Sequence, residues 1–223
     1  MSHAIILFAN LVHLAYFAKM NTRKQILEAS RLLFNEKGVM NVTLRDVAKY
    51  LNKSYGNVTY HFPIKEDVIS DLLGEMNEEL LLLQEIDENK NLLLYLFNLP
   101  SSNYSISVKY LFFIVDYLEL KRNYSIIQDK INKLNGDRRD KWKKILLRLK
   151  KLEYFDEKIT NADLEYVMYL SYSVRVTYFQ TAELISYSKS EYTIMVTRLL
   201  KPYLSLKGLV IYENWLESLT VSK

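Results

Sequence analysis

Apolar residues along this chain recur every three or four positions rather than every second one, a period that predicts helices throughout. From Thr22 the run TRKQILEASRLLFNEKG sets Ile26, Leu27, Ser30, Leu33 and Phe34 on one stripe and leaves Arg23, Lys24, Glu28 and Arg31 off it. Gly38 follows the last periodic residue, where a left-handed conformation closes a helix. Thr43 then reads as the N-cap of a short helix, Leu44 to Leu51, whose Leu44, Val47, Ala48 and Leu51 face inward while Arg45 and Lys49 point away. Asn52 and Lys53 make a turn, and Ser54 caps a third helix, Tyr55 to Phe62, which Pro63 stops.

Beyond Pro63 the pattern lengthens. Glu66 to about Glu85 reads as a fourth helix with acids Glu66 and Asp67 in its first turn and Leu72, Leu73, Met76, Leu80 and Leu83 on its apolar face. Further helical stretches fall at Leu92 to Leu99, Tyr104 to Leu120, Ser125 to Leu134 and Arg138 to Tyr154, with breaks expected at Pro100, Asn123 and Asn135-Gly136. Asn161 to Ser186, Ser190 to Leu204 and Leu209 to Leu219 complete the set. The expectation is an all-α chain of about nine or ten helices. A helix-turn-helix three-helix domain covers residues 20–66, and a helical bundle domain for dimerisation and ligand binding covers residues 67–223.

Composition narrows this picture without changing it. Only 5 Gly and 3 Pro punctuate 223 residues, and 49% of them are hydrophobic, which suits long helices around packed cores. Cysteine is absent, so disulfides and thiolate metal sites are excluded, and a reducing, cytoplasmic setting is expected. A formal charge of +4 is too mild to name a polyanion partner, but its distribution is uneven. Between Met20 and Lys65, Arg23, Lys24, Arg31, Lys37, Arg45, Lys49, Lys53 and Lys65 outnumber Glu28, Glu36 and Asp46, as a segment facing phosphates would require. The apolar stretch Ala4 to Ala18, interrupted by Asn10 and His13, is shorter than the ~20 residues that span a bilayer, so no membrane partner is expected. It also lacks the preceding positive charge of a secretory signal. Residues 1–19 therefore read as an N-terminal extension ahead of a start at Met20.

Two short helices joined by a tight turn, the second exposing Tyr55, Asn57 and Thr59, have the layout of a unit that lays its second helix in the DNA major groove. Asn offers paired donor and acceptor groups to adenine, Thr a hydroxyl and a methyl, and Tyr a hydroxyl that reaches phosphate. The segments ILEASRLLFNEKG and VTLRDVAKYLNKSYGNVTYHFPIKEDV resemble the pattern ILxAAxxLFxxxG followed by TTxxxIAxxxGVSxGxLYxHFxxKEEL of TetR/AcrR regulators. The resemblance implies phosphate contacts from Thr43 and Arg45 on one side and from Tyr60, His61 and Lys65 on the other. It implies base contacts from Ser54, Tyr55, Asn57 and Thr59, close approach at Gly56, and core positions at Val58 and Phe62. Asn52, Lys53, Thr59 and Ile64 depart from that pattern: Asn tolerates the left-handed turn, and Lys53 adds a candidate phosphate contact. The same resemblance pairs the last two long helices with those of a second subunit. A homodimer also follows from the head, because one short recognition helix covers too few bases.

The expected function is a homodimeric repressor that leaves double-stranded operator DNA when a small, largely apolar effector enters the body. A ligand-independent regulator or an activator with the same head is the alternative, and a helical interaction module or an enzyme a more distant one. Tyr166, Tyr169, Tyr172, Tyr178 and Phe179 fall on one helix, with Arg175, Gln180 and Glu183 as polar neighbours; core packing is the commoner use of such aromatics, and Tyr172, Arg175 and Phe179 are the candidate ligand contacts. The cluster Arg138, Arg139, Lys141, Lys143, Lys144, Arg148, Lys150 and Lys151 reads first as a solvated helix face. His61 has only His3 and His13 for company, so no zinc spacing exists, and no catalytic residue, metal or cofactor is expected.

Overall fold

A computed structural model describes residues 20–83, 91–181 and 188–221. The expectations for residues 1–19, Glu85, Glu183 and Ser186 lie outside these. The described residues form α1 (Thr22–Lys37), α2 (Leu44–Tyr50), α3 (Tyr55–His61), α4 (Lys65–Leu83), α5 (Leu92–Lys109), α6 (Phe112–Val115), α7 (Tyr117–Asn123), α8 (Ser125–Lys151), α9 (Asn161–Gln180), α10 (Lys189–Arg198) and α11 (Leu206–Val221), with a 3₁₀ turn at Lys201–Tyr203. The protein is all-α, as the three- to four-residue period requires. None of the described helices is long and apolar enough to cross a membrane.

The chain divides into two compact units. One holds the described residues up to Glu75 together with Leu118–Ile127; the other holds Met76–Tyr117 and the described residues from Gln128 onward. α4 and α8 each run through a point of division.

In the first unit, local chemistry defines the helix ends. Asn21 caps α1, accepting the Lys24 N–H at 2.9 Å, and Gly38 ends it at φ 79° while its N–H donates to the Phe34 carbonyl at 2.9 Å. Asn52 takes φ 54° in the turn before α3, a conformation that asparagine accepts more readily than most residues. Ile26, Leu27, Leu33 and Phe34 of α1, Val47 of α2 and Val58 of α3 are buried, and α2 packs against both neighbours. Each such apolar side chain contributes about 1.5–3 kcal/mol by leaving water. Arg23 braces the unit across three helices, paired with Asp71 of α4 at 2.5 Å and lying 4.5 Å over the Phe62 ring.

In the second unit α5 packs against α10 and α11, and the main core gathers Leu92, Leu93, Leu96 and Phe97 with Ile145, Leu149, Leu164 and Trp215. Two of its polar groups are bonded across the core: Trp215 Nε1 donates to Asn98 Oδ1 at 3.1 Å, and the buried Thr197 hydroxyl donates to the Phe97 carbonyl at 3.3 Å. A smaller aromatic cluster joins Tyr178, Phe179 and Tyr192, with Tyr104 against it.

Four expected boundaries moved. α5 runs through Pro100, with buried Leu96, Phe97 and Leu99 before it and Ile106 after it, and the Asn98 and Ser102 side chains bond carbonyls one turn back. The stretch Tyr104 to Leu120 is divided among α5, α6 and α7, because Tyr110, Phe112 and Phe113 all go inside and one helical face cannot bury such close neighbours. α8 continues through Asn135-Gly136, since glycine weakens a helix by only about 1 kcal/mol relative to alanine and buried Ile131 and Ile145 flank it. The helix from Ser190 ends at Arg198, and the chain turns at Pro202 to set Phe155 opposite Leu204 in an isolated antiparallel bridge.

Two glycines should respond oppositely to an added methyl group. A Cβ at Gly136 meets nothing within 4 Å, whereas one at Gly208 collides with the Tyr154 carbonyl oxygen. Gly136→Ala is expected to raise stability by about 0.5–1 kcal/mol and Gly208→Ala to lower it by about 1–3 kcal/mol, read from the midpoints of thermal unfolding.

Candidate nucleic-acid interface

α3 has seven residues, and its inward side is held by the buried Val58, with Phe62 buried at its C-cap. That anchoring turns Tyr55 (43% exposed), Asn57 and Tyr60 (84% exposed) to the outside, and Ser54 stands exposed at the N-cap. The Ser54 hydroxyl oxygen accepts the Asn57 N–H at 3.1 Å, so the cap stiffens the first turn while the Asn57 amide stays on the surface. A Cβ at Gly56 would meet nothing within 4 Å, leaving bare backbone on the same face.

α2 supplies the flank. Thr43 and Asp46 form a capping box: the Thr43 N–H donates to Asp46 Oδ2 at 2.8 Å, and the Thr43 hydroxyl oxygen accepts the Asp46 N–H at 3.2 Å. The hydroxyl also donates to Asp46 Oδ2 at 2.6 Å, and this bond, followed by the Thr43 N–H, holds the Asp46 carboxyl below its usual pKa. Sequence reasoning missed Asp46, although the spacing Thr-x-x-Asp carried the signal. Exposed Arg45 reaches from α2 to lie 4.5 Å over the Tyr55 ring, a cation–π contact that sets both side chains at the head of α3.

The remaining candidates divide. Lys53 is half-buried in the turn, and His61 is half-buried with its ring edge-on to Tyr60 at 5.2 Å between centroids. The Thr59 hydroxyl donates back to the Tyr55 carbonyl at 3.1 Å, within its own helix. Lys65, expected on the phosphate side, is turned inward: its Nζ donates to the Val39 and Val42 carbonyls at 3.0 Å each and lies 5.8 Å from the Tyr124 ring. It ties the α1–α2 connection to the start of α4.

Residues 26–72 match the family described as bacterial regulatory proteins, tetR family. In this segment the chain is similar to the tetR family. It is 30% identical over 60 residues to the probable HTH-type transcriptional regulator YttP of Bacillus subtilis, covering 27% of this chain and 29% of that protein. It is 35% identical over 57 residues to the HTH-type transcriptional regulator TtgR of Pseudomonas putida, covering 26% and 27%. The matched stretch thus spans under a third of these relatives, which are regulators rather than enzymes. Over nearly its whole length the fold is that of a TetR-family transcriptional regulator from Marinobacter aquaeolei VT8, with a TM-score of 0.75 at 22% identity over 88% of this chain and 99% of the other.

The candidate ligand contacts lie in the second unit and do not behave alike. Phe179 is buried in the aromatic cluster, 5.4 Å from the Tyr192 ring, as core packing would have it. Arg175 is half-buried and lies 5.4 Å over the Tyr172 ring. Beside them stands Arg138, read from the sequence as part of a solvated face but in fact half-buried. Burial first, and the neighbouring Arg175 guanidinium second, bring Arg138 down to a pKa of about 10. Tyr166 and Tyr169 remain exposed on α9. Among the described residues no cluster of histidine and carboxylate side chains is placed to hold a metal.

Lys65→Met tests the inward role of that side chain. It strands two carbonyl acceptors and is expected to cost about 1–3 kcal/mol of stability, whereas Lys53→Ala should change stability by less than about 0.5 kcal/mol. Thermal unfolding of the two variants checks this.

Proposed function

We propose that this protein is a transcriptional regulator that binds double-stranded operator DNA as a homodimer, with α3 of each copy in the major groove, and that it acts as a repressor released by a small effector held in the second unit. The observation that carries the reading is the division of α3 into a buried anchor and an outward face of Tyr55, Asn57 and Tyr60 beside Ser54 and Gly56, in a segment of tetR type. Asn57 takes the base-reading role, because an outward amide pairs with adenine through two hydrogen bonds. Ser54, Tyr55 and the Thr59 methyl line the same groove, while Arg45, Thr43, Lys53, Tyr60 and His61 meet phosphates on either side. Lys65 contributes by holding the connection before α2 in place.

Effector release needs no new contact with DNA. A ligand that binds the DNA-incompetent arrangement more tightly shifts the population by that difference in affinity and by no more. The kinship to regulators supports this reading over an enzyme, and the cysteine-free composition agrees with a cytoplasmic setting.

A mobility-shift assay with the DNA upstream of the protein's own gene tests the proposal. Asn57→Ala is expected to weaken binding to that site by about 1–3 kcal/mol and to relax the preference at one base position. Tyr60→Phe removes one phosphate donor and should weaken binding evenly across sequences. Equal losses from both variants on every sequence would remove the assignment of roles, and no shift of any duplex would remove the function.

A further inference from the structure

Among the described residues of the second unit, two positive charges have no carboxylate partner. Among the described residues neither Arg138 of α8 nor Arg175 of α9 is paired with a carboxylate; Arg138 Nη2 makes one long bond to Asn77 Oδ1 at 3.4 Å, and Arg175 rests on Tyr172. Placing two half-buried guanidiniums within range of each other costs desolvation and repulsion, and that cost is recovered when an oxyanion bridges them. Other cations of the unit are arranged differently: Lys109 has Glu79, Lys143 has Glu165 and Lys201 has Glu213. Tyr172, with Arg175 5.4 Å over its ring, interacts with both charges, and Tyr117 lies close enough to oppose its ionisation.

The surroundings point to the rest of the ligand. Tyr178 and Phe179 follow Arg175 by three and four residues, so they lie on its face of α9, and they lead into the aromatic cluster with Tyr104 and Tyr192. A guanidinium fork beside an aromatic wall suits a molecule with an anionic head and an apolar body.

We propose that Arg138 and Arg175, together with Tyr172, form the site for the oxyanion group of an amphiphilic small-molecule effector. This rests on the reading that the second unit binds an effector, and it makes that effector an acid rather than a neutral apolar compound. The head is a carboxylate or a phosphate, since both present the paired oxygens that two guanidiniums bind.

Calorimetric titration of the full chain, without DNA, tests the site with three probes of one chain length: sodium decanoate, decyl phosphate and decanol. The wild type should bind at least one of the charged probes about tenfold or more tighter than decanol. Arg138→Met and Arg175→Met should each abolish that preference, and Arg139→Met, at the exposed neighbour, should keep it. Which charged probe wins identifies the head group. Thermal unfolding of the unliganded variants separates a binding role from bracing: Arg138→Met should melt at or above the wild-type temperature, because it relieves repulsion. No binding of either charged probe, equal binding of decanol, an undiminished preference in both arginine variants, or a marked fall in the melting temperature of unliganded Arg138→Met would each overturn the proposal. Because DNA is absent, these outcomes are independent of whether α3 reads an operator.

Discussion

Burial of Val58, with Phe62 at the following cap, decides what α3 is able to do. A helix of two turns is too short to be stable by itself, so it exists only while its inner side is held in a core. With that side committed, helical geometry alone sends Tyr55, Asn57 and Tyr60 outward. The supports around it, namely the Ser54 cap, the left-handed Asn52, the Thr43–Asp46 box and Arg23 between Asp71 and Phe62, all serve to keep this short element at one angle.

Electrostatics follows a related division of labour. In the first unit the cations are of two kinds: Arg23 and Lys65 are bonded within the protein and brace it, while Arg45 is outward, steadied by an aromatic ring but with its charge exposed. Counting positive charges along the sequence therefore overstates what is presented to phosphates. In the second unit the count misleads in the other direction, because Arg138 sits in a run of basic residues that looks solvated, yet it is half-buried and bonded to Asn77.

Much of the head was legible because its signals are local. Gly38, Thr43, Asn52 and Ser54 act on their own backbone within three or four residues, and the inward positions follow from period alone. The body was legible as helices but not in its boundaries, since Pro100 and Gly136 are breakers only when nothing overrides them, and here flanking apolar residues drawn into the core do. The direction of a long side chain was least legible. Lys65 and Arg138 can swing outward or inward, and the choice depends on acceptors brought from far along the chain, the Val39 and Val42 carbonyls in one case and the Asn77 side chain in the other.

The claim at the centre is that α3 is a groove probe held on a buried anchor. Amide hydrogen exchange of the full chain, with and without duplex from upstream of its gene, addresses this directly. Added DNA should slow exchange from Thr43 through His61, most of all at the start of α3, while the exposed face of α9 is unchanged. Slowing confined to the second unit, with α3 exchanging as it does in free protein, would contradict the account.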